Sequence, residues 1–92
     1  MPVETLKIAR DVRALLAVVG KQLREARERR GESIDHVAAA LGTTAARIRR
    51  AEVGNAGVAL GMYAMLLRRY GLHRQLLALG AAGDAEVANG RR

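Results

Sequence analysis

At 92 residues the chain has room for one domain, and a domain of that size buries only about 60–65% of its unfolded surface. It has no cysteine, which excludes disulfide staples and gives no hint of an exported, disulfide-held scaffold. Sixteen Lys and Arg against nine Asp and Glu leave a net charge of +7 and a pI near 11.3, which suits a partner for phosphates or an anionic membrane face.

Ala and Leu dominate the apolar residues, and the single proline stands at position 2. The interior is therefore free of helix breakers, and the composition predicts an all-α chain. Val3, Leu6, Ala9, Val12, Leu16 and Val19 recur at helical spacing and predict a helix over 3–19. Within it, ALLAVVG (14–20) after Lys7, Arg10 and Arg13 imitates a signal peptide. Its apolar run of about six residues is too short for that, and far too short to span a bilayer. It reads as a buried helix segment of a cytoplasmic protein. A second segment, 21–30, carries Leu23, Ala26 and Arg27 on one side and ends at Gly31, a helix C-cap. Gly20 leaves two readings open: a break, or a costly residue inside one long helix.

Ser33 is an N-cap for a helix over 34–41, with Asp35 in its first turn and Gly42 closing it. Thr43 or Thr44 caps the next helix, 45–53, which Gly54 stops. The linker NAGVA (55–59) leads to a helix over 60–70, striped by Leu60, Tyr63, Ala64, Leu67 and Tyr70. Gly71 separates it from a last short helix, 72–79, with Leu72, Leu76 and Leu79 facing inward. From Gly80 the residues turn to Gly, Ala, Asp, Asn and Arg, the composition of a tail.

The two short helices around Gly42 carry the functional argument. A tight glycine turn lets the second helix project while the first lies across it. Close crossing needs a small residue, supplied by Ala38 and Ala39, and Val37, Leu41, Ile48 and Ala51 are spaced for a shared core. Ala45, Ala46, Arg49 and Arg50 then fall outward, where the start of a recognition helix meets base edges. Arginine is the side chain best matched to guanine O6 and N7. Arg47 lies toward the flank, suited to a phosphate, and the stretch 43–51 holds three arginines and no acid.

The run RRGESIDHVAAALGTTAARIRRAEVGN (29–55) resembles the phage-repressor and Cro-type helix-turn-helix family, over roughly residues 18–80. The resemblance implies a compact five-helix fold with an added N-terminal helical segment. It also implies an ion pair between Arg27 of the first helix and Glu52 at the end of the recognition helix. On this layout Ser33, Thr44, Arg47, Arg24 and Asn55 are the expected phosphate contacts. Two departures stand out: Ile34 occupies a position where many relatives carry a phosphate-touching glutamine, and Ala45 and Ala46 replace long polar side chains. Alanine offers only a methyl contact to thymine, so base reading leans on Arg49 and Arg50 and on the shape of the site.

Downstream, AEVGNAGVALGMYAMLLRRYGL (51–72) is similar to HipB-like antitoxins. That likeness implies a homodimer that represses its own operon from a palindromic, inverted-repeat operator and binds a HipA-like kinase toxin. The domain plan expected is an extension at 1–17, the helix-turn-helix domain at 18–80 and a tail at 81–92.

Competing chemistry fits the residues poorly. Ser33, the only serine, is accounted for by capping; His36 stands one turn away, but no oxyanion site suggests itself, so no catalysis is expected. His36 and His73 lack a ligand cluster, so no metal and no cofactor are expected. Gly57, Gly61 and Gly71 match no nucleotide loop. With Tyr63 and Tyr70 the only aromatics, stacking on single-stranded RNA is poorly served. The Leu and Met residues of 60–67 and 72–79 read as core, in part as dimer interface. The alternatives carried forward are a prophage-type repressor without a toxin, and a protein-interaction module working through helix 3–19 or the tail. A membrane-surface role for 3–19 comes third.

Overall fold

The computed structural model describes residues 7–74 and 76–78. Every regular element among them is an α-helix: α1 (Arg10–Arg29), α2 (Ile34–Leu41), α3 (Ala45–Glu52), α4 (Leu60–Arg69) and α5, helical at 74 and 76–78. The structure corrects the start of the predicted N-terminal helix and decides between the two readings of Gly20. Residues 7–9 have no regular structure, with Ala9 extended at φ −61°, ψ 149° before the first turn, so the helix begins at Arg10 rather than Val3. It then runs through Gly20 without a break, so that 10–17 are the opening turns of α1. The expected tail and Leu79 lie outside the described residues.

Local chemistry explains the helix ends. Ser33 Oγ accepts the His36 amide (3.0 Å) and Thr44 Oγ1, not Thr43, accepts the Arg47 amide (3.2 Å). Each cap satisfies one otherwise orphaned N–H at a helix start. All four long helices stop the same way, with a glycine at φ between 66° and 75° at positions 31, 42, 54 and 71. At Gly42 the amide bonds back to Ala39 O (3.2 Å) and that of Thr43 to Ala38 O (2.9 Å). This paired closure needs a left-handed residue, which glycine adopts without the Cβ penalty.

The core sits where α1, α2, α3 and α4 meet. Leu23, Val37, Ile48 and Leu66 are completely enclosed, with Ala26, Ala38, Ala51 and Tyr63 around them. Full burial of each of the four large side chains favours the folded state by about 1.5–3 kcal/mol. Ala38 makes the helix crossing, while Ala39 is exposed. In α4 the buried face is Tyr63 and Leu66 flanked by Leu67 and Tyr70, and Leu60 is 73% exposed rather than part of the stripe. Leu66 completes an i, i+3 face with Tyr63, and Leu60 falls off its edge. Leu76 in α5 is half-buried, whereas Leu72 precedes α5 and is exposed rather than facing inward.

The segment 14–20 is not buried. Leu15 is 61% and Val18 54% exposed, and only Leu16, Val19 and Gly20 turn toward the body. Gly20 explains itself by proximity. A Cβ there would stand 2.5 Å from the Glu52 carbonyl oxygen and 2.7 Å from that of Ala51. The end of α3 therefore rests directly on the α1 backbone. Gly54 belongs to the same contact, since a Cβ there would run into the backbone of Leu16 and Ala17.

A polar staple closes the opposite end. Arg69 donates through Nη2 to Glu32 Oε2 (2.5 Å) and through Nε to Oε1 (3.3 Å). Arg30 donates from Nη1 to the Arg69 carbonyl (2.5 Å) and stacks over Tyr70 at 5.6 Å. The hydrogen bond from Arg69 holds the Glu32 carboxyl below its ordinary value of 4.5. A carboxyl depressed on folding stabilises the fold above its unfolded value, and that contribution fades as pH falls through the lowered one. Glu32→Gln is accordingly expected to flatten the loss of thermal stability below about pH 4.5, read as melting temperature against pH. An unchanged acid limb would discount the staple.

Candidate nucleic-acid interface

The outward surface is built on α3. Ile48, Ala51 and Glu52 are buried and fix its inner face. Ala45 is half-buried on the edge of that face, while Ala46, Arg47, Arg49 and Arg50 are exposed. At 3.6 residues per turn Ala46 and Arg50 occupy the crest of α3, with Arg49 on one slope and Arg47 on the other. Of the four residues expected to read bases, the structure therefore puts three in the open.

Each slope drops into a groove. On one side Arg49 shares a groove of about 230 Å³ with Arg24, Ile34 and Val53. Ile34 packs against the core at the start of α2, so this wall is apolar. Arg24 is well exposed and reaches Glu28 only loosely, at 3.4 Å. On the other side Arg47 and Arg50 share a groove of about 600 Å³ with Asn55, Gly57, Ala59 and Met62. Asn55 Oδ1 accepts the Gly57 amide (2.6 Å), which leaves its Nδ2 as a free donor. Ser33 and Thr44 use their oxygens as cap acceptors but keep a hydroxyl hydrogen to donate.

The second groove contains a feature that reading residue by residue missed. Ala59 caps α4 with no side-chain hydrogen bond, and this start of α4 lines the groove beside Arg47 and Arg50. The positive end of the helix dipole favours an anion near that start. The signal in the sequence was negative: the linker NAGVA offers α4 no Ser, Thr or Asp to cap it.

What holds this surface in register is the contact between Arg27 and Glu52. Arg27 Nε donates to Glu52 Oε2 (2.7 Å) and Nη2 to Oε1 (3.0 Å), with side-chain exposures of 12% and 6%. Nη1 is spent on the Glu32 carbonyl oxygen (2.9 Å). The bond to Glu52 outweighs burial and raises the Arg27 pKa further. This two-pronged geometry fixes distance and plane together, which a lysine could not do. Tyr63 adds a second tether, its buried hydroxyl donating to the Asn55 carbonyl (2.7 Å).

The remaining candidates stand apart from this surface. His36 is exposed, with Nε2 3.7 Å from Glu32, and His73 lies elsewhere on the chain with a buried Nδ1. Among the described residues no group of three or more His, Cys, Asp or Glu could hold a metal. No helix among them is long and apolar enough to cross a membrane.

A family model described as a helix-turn-helix domain matches residues 18–80, a span that opens in the middle of α1 and takes in α2, α3 and α4. No curated protein and no solved structure matches the chain significantly.

Proposed function

The chain belongs to the helix-turn-helix domain family, and from that membership we propose that it is a transcriptional repressor that lays α3 in the major groove of an inverted-repeat operator. The observation that carries the reading is the acid-free crest of α3, Ala46 and Arg50 between Arg49 and Arg47, on a helix anchored from behind by Ile48 and Glu52. Arg49 and Arg50 read base edges, and Ala46 gives methyl contact or close approach. Arg47, Arg24, Ser33, Thr44 and Asn55 hold phosphates on the two flanks. Two protomers bind half-sites about one helical turn, 10–10.5 bp, apart.

The finer assignment within this class is an autorepressing antitoxin with a kinase toxin of the HipA-like type as its partner. Its support is the likeness of residues 51–72 noted above. A protein-interaction role is favoured by a different observation, the exposed apolar side chains of α1.

The test is binding to the chain's own promoter fragment. Arg49→Ala and Arg50→Ala are each expected to cost about 1–3 kcal/mol of discrimination at one base step. Arg47→Ala should weaken all sequences alike and make binding less sensitive to salt, because one phosphate contact is lost. If Arg49→Ala and Arg50→Ala leave both affinity and sequence preference unchanged, the reading face is wrong.

A further inference from the structure

We propose that the crest of α3 reads a 5-methylpyrimidine stacked beside a guanine, so that thymine and 5-methylcytosine are accepted next to that guanine and plain cytosine is refused. This base step deepens the operator reading above and rests on it. The exposed side chains of α3 are Ala46, Arg47, Arg49 and Arg50, which offer hydrogen-bond donors, one methyl group and no acceptor. The one carboxylate on the helix, Glu52, is buried and spent on Arg27. The side-chain acceptors that border the surface are engaged as well. Ser33 Oγ takes the His36 amide, Thr44 Oγ1 the Arg47 amide and Asn55 Oδ1 the Gly57 amide. Cytosine shows the major groove a donor, N4, that calls for a carboxylate, and adenine N6 and N7 call for a side-chain amide. Neither type stands exposed on α3. What remains legible to this helix is the acceptor pair of guanine and the C5 methyl of a pyrimidine.

The geometry brings these two signals to one place. Ala46 and Arg50 are four residues apart on the crest, which sets their Cβ atoms about 5–6 Å from each other. Long side chains on a helix lean toward its N-terminus and cover the preceding turn. The Arg50 guanidinium is thus directed back over the Ala46 methyl. Neighbouring bases on a strand are about 3.4 Å apart, within reach of a methyl and a guanidinium so disposed. Nothing ties Arg50 down on its own side, since the groove it shares with Arg47, Asn55 and Met62 is lined by no carboxylate. Arg49 lies on the other slope beside Ile34 and Val53, and serves a separate base. A plain cytosine under Ala46 would leave its amino group without an acceptor and would present no methyl. Methylation at C5 supplies the methyl and alters no hydrogen-bonding group. A methylated cytosine therefore binds where an unmethylated one does not.

The test starts from duplexes selected by the full chain out of a random library, where a thymine beside a guanine is expected in each half-site. Affinities are then measured by fluorescence anisotropy on single-base variants of the selected duplex. Replacing that thymine by uracil removes only the methyl and should weaken binding about fourfold, the size of one buried methyl. Replacing the guanine by 7-deazaguanine should weaken it by about tenfold. With a cytosine·guanine pair in the thymine position, methylating the cytosine at C5 should recover about fourfold. Ala46→Gly is expected to bring the thymine-to-uracil ratio to one while keeping the 7-deazaguanine effect, and Arg50→Ala to abolish the latter. Each ratio compares two duplexes on one variant, so a loss of stability in the variant cancels, and Ala46→Ser repeats the first comparison without a helix glycine. Equal binding of thymine and uracil, or of cytosine and 5-methylcytosine, by the wild type overturns the proposal and leaves the repressor reading standing. A methyl effect that survives Ala46→Gly, or a 7-deazaguanine effect that survives Arg50→Ala, overturns it too by moving the contact to another residue. A library that yields no enriched sequence overturns the repressor reading and this step with it.

Discussion

Arg27→Ala is expected to destabilise the domain by about 3–5 kcal/mol, the largest effect of any single substitution on its polar side chains. Removing the guanidinium leaves the Glu52 carboxylate at 6% exposure with neither of its two short partners. It also frees the Glu32 carbonyl that Nη1 satisfied. For a chain of this size each kcal/mol lowers the melting temperature by roughly 4–8 °C. A small domain has little margin for that loss. Glu52→Ala should cost a similar amount by stranding Arg27. The paired replacement Arg27→Met with Glu52→Leu should recover much of the stability, because neither charge is then buried alone. Thermal denaturation of the two single variants and the pair makes the comparison. Equal losses in all three would mean that the ion pair is incidental to the packing of α1 on α3. DNA binding at a temperature where every variant is folded would then separate a tether from a mere staple. The tether sets the position of the crest carrying Arg50, so the restored pair should be stable yet bind less sharply.

The second large effect comes from the smallest change. Gly20→Ala should destabilise by about 1–3 kcal/mol, although alanine favours an exposed helix over glycine by about 1 kcal/mol. The added methyl would meet the Glu52 and Ala51 carbonyl oxygens at 2.5 and 2.7 Å and the Gly54 amide nitrogen at 2.7 Å. All three are backbone atoms at the end of α3, and they can yield only if α3 moves off α1. Gly61→Ala is the matched control. Gly61 is in α4, carries no unusual φ and has nothing within 4 Å of its missing Cβ. There the same substitution should raise the melting temperature. Chemical or thermal unfolding of both variants decides the matter, and a stabilising Gly20→Ala would rule out the close approach of α1 to α3.

These two cases mark how far the sequence could be read. The Ser33 and Thr44 caps, the glycine at each helix end and the enclosed Val37 and Ile48 rest on interactions within a few residues, so spacing and residue type sufficed. Position 20 could not be read in that way. A glycine in a helix is locally unfavourable, and its reason stands some thirty residues away in the backbone of α3. Leu60 was misread for a related cause. Periodicity gives the direction of a stripe but not where along it the neighbouring helix ends, and Leu60 lies off the edge of the contact. The segment 14–20 has the composition of a core, yet a single copy of the chain leaves Leu15 and Val18 uncovered.

By itself the sequence determined an all-helical chain, the two short helices about Gly42, the basic and acid-free stretch at 43–51, and the likeness that paired Arg27 with Glu52. Each follows from local chemistry or from a pattern carried by adjacent residues. Only the tertiary structure decided the division of labour on α3, with Ala45 half-buried, Arg50 on the crest and Arg49 and Arg47 on opposite grooves. It also placed the uncapped start of α4 beside Arg47 and Arg50. Those outcomes depend on the angle and height at which α3 rests against α1 and α4. The contacts that set them, Gly20 against Glu52 and Tyr63 against Asn55, join residues far apart in the chain.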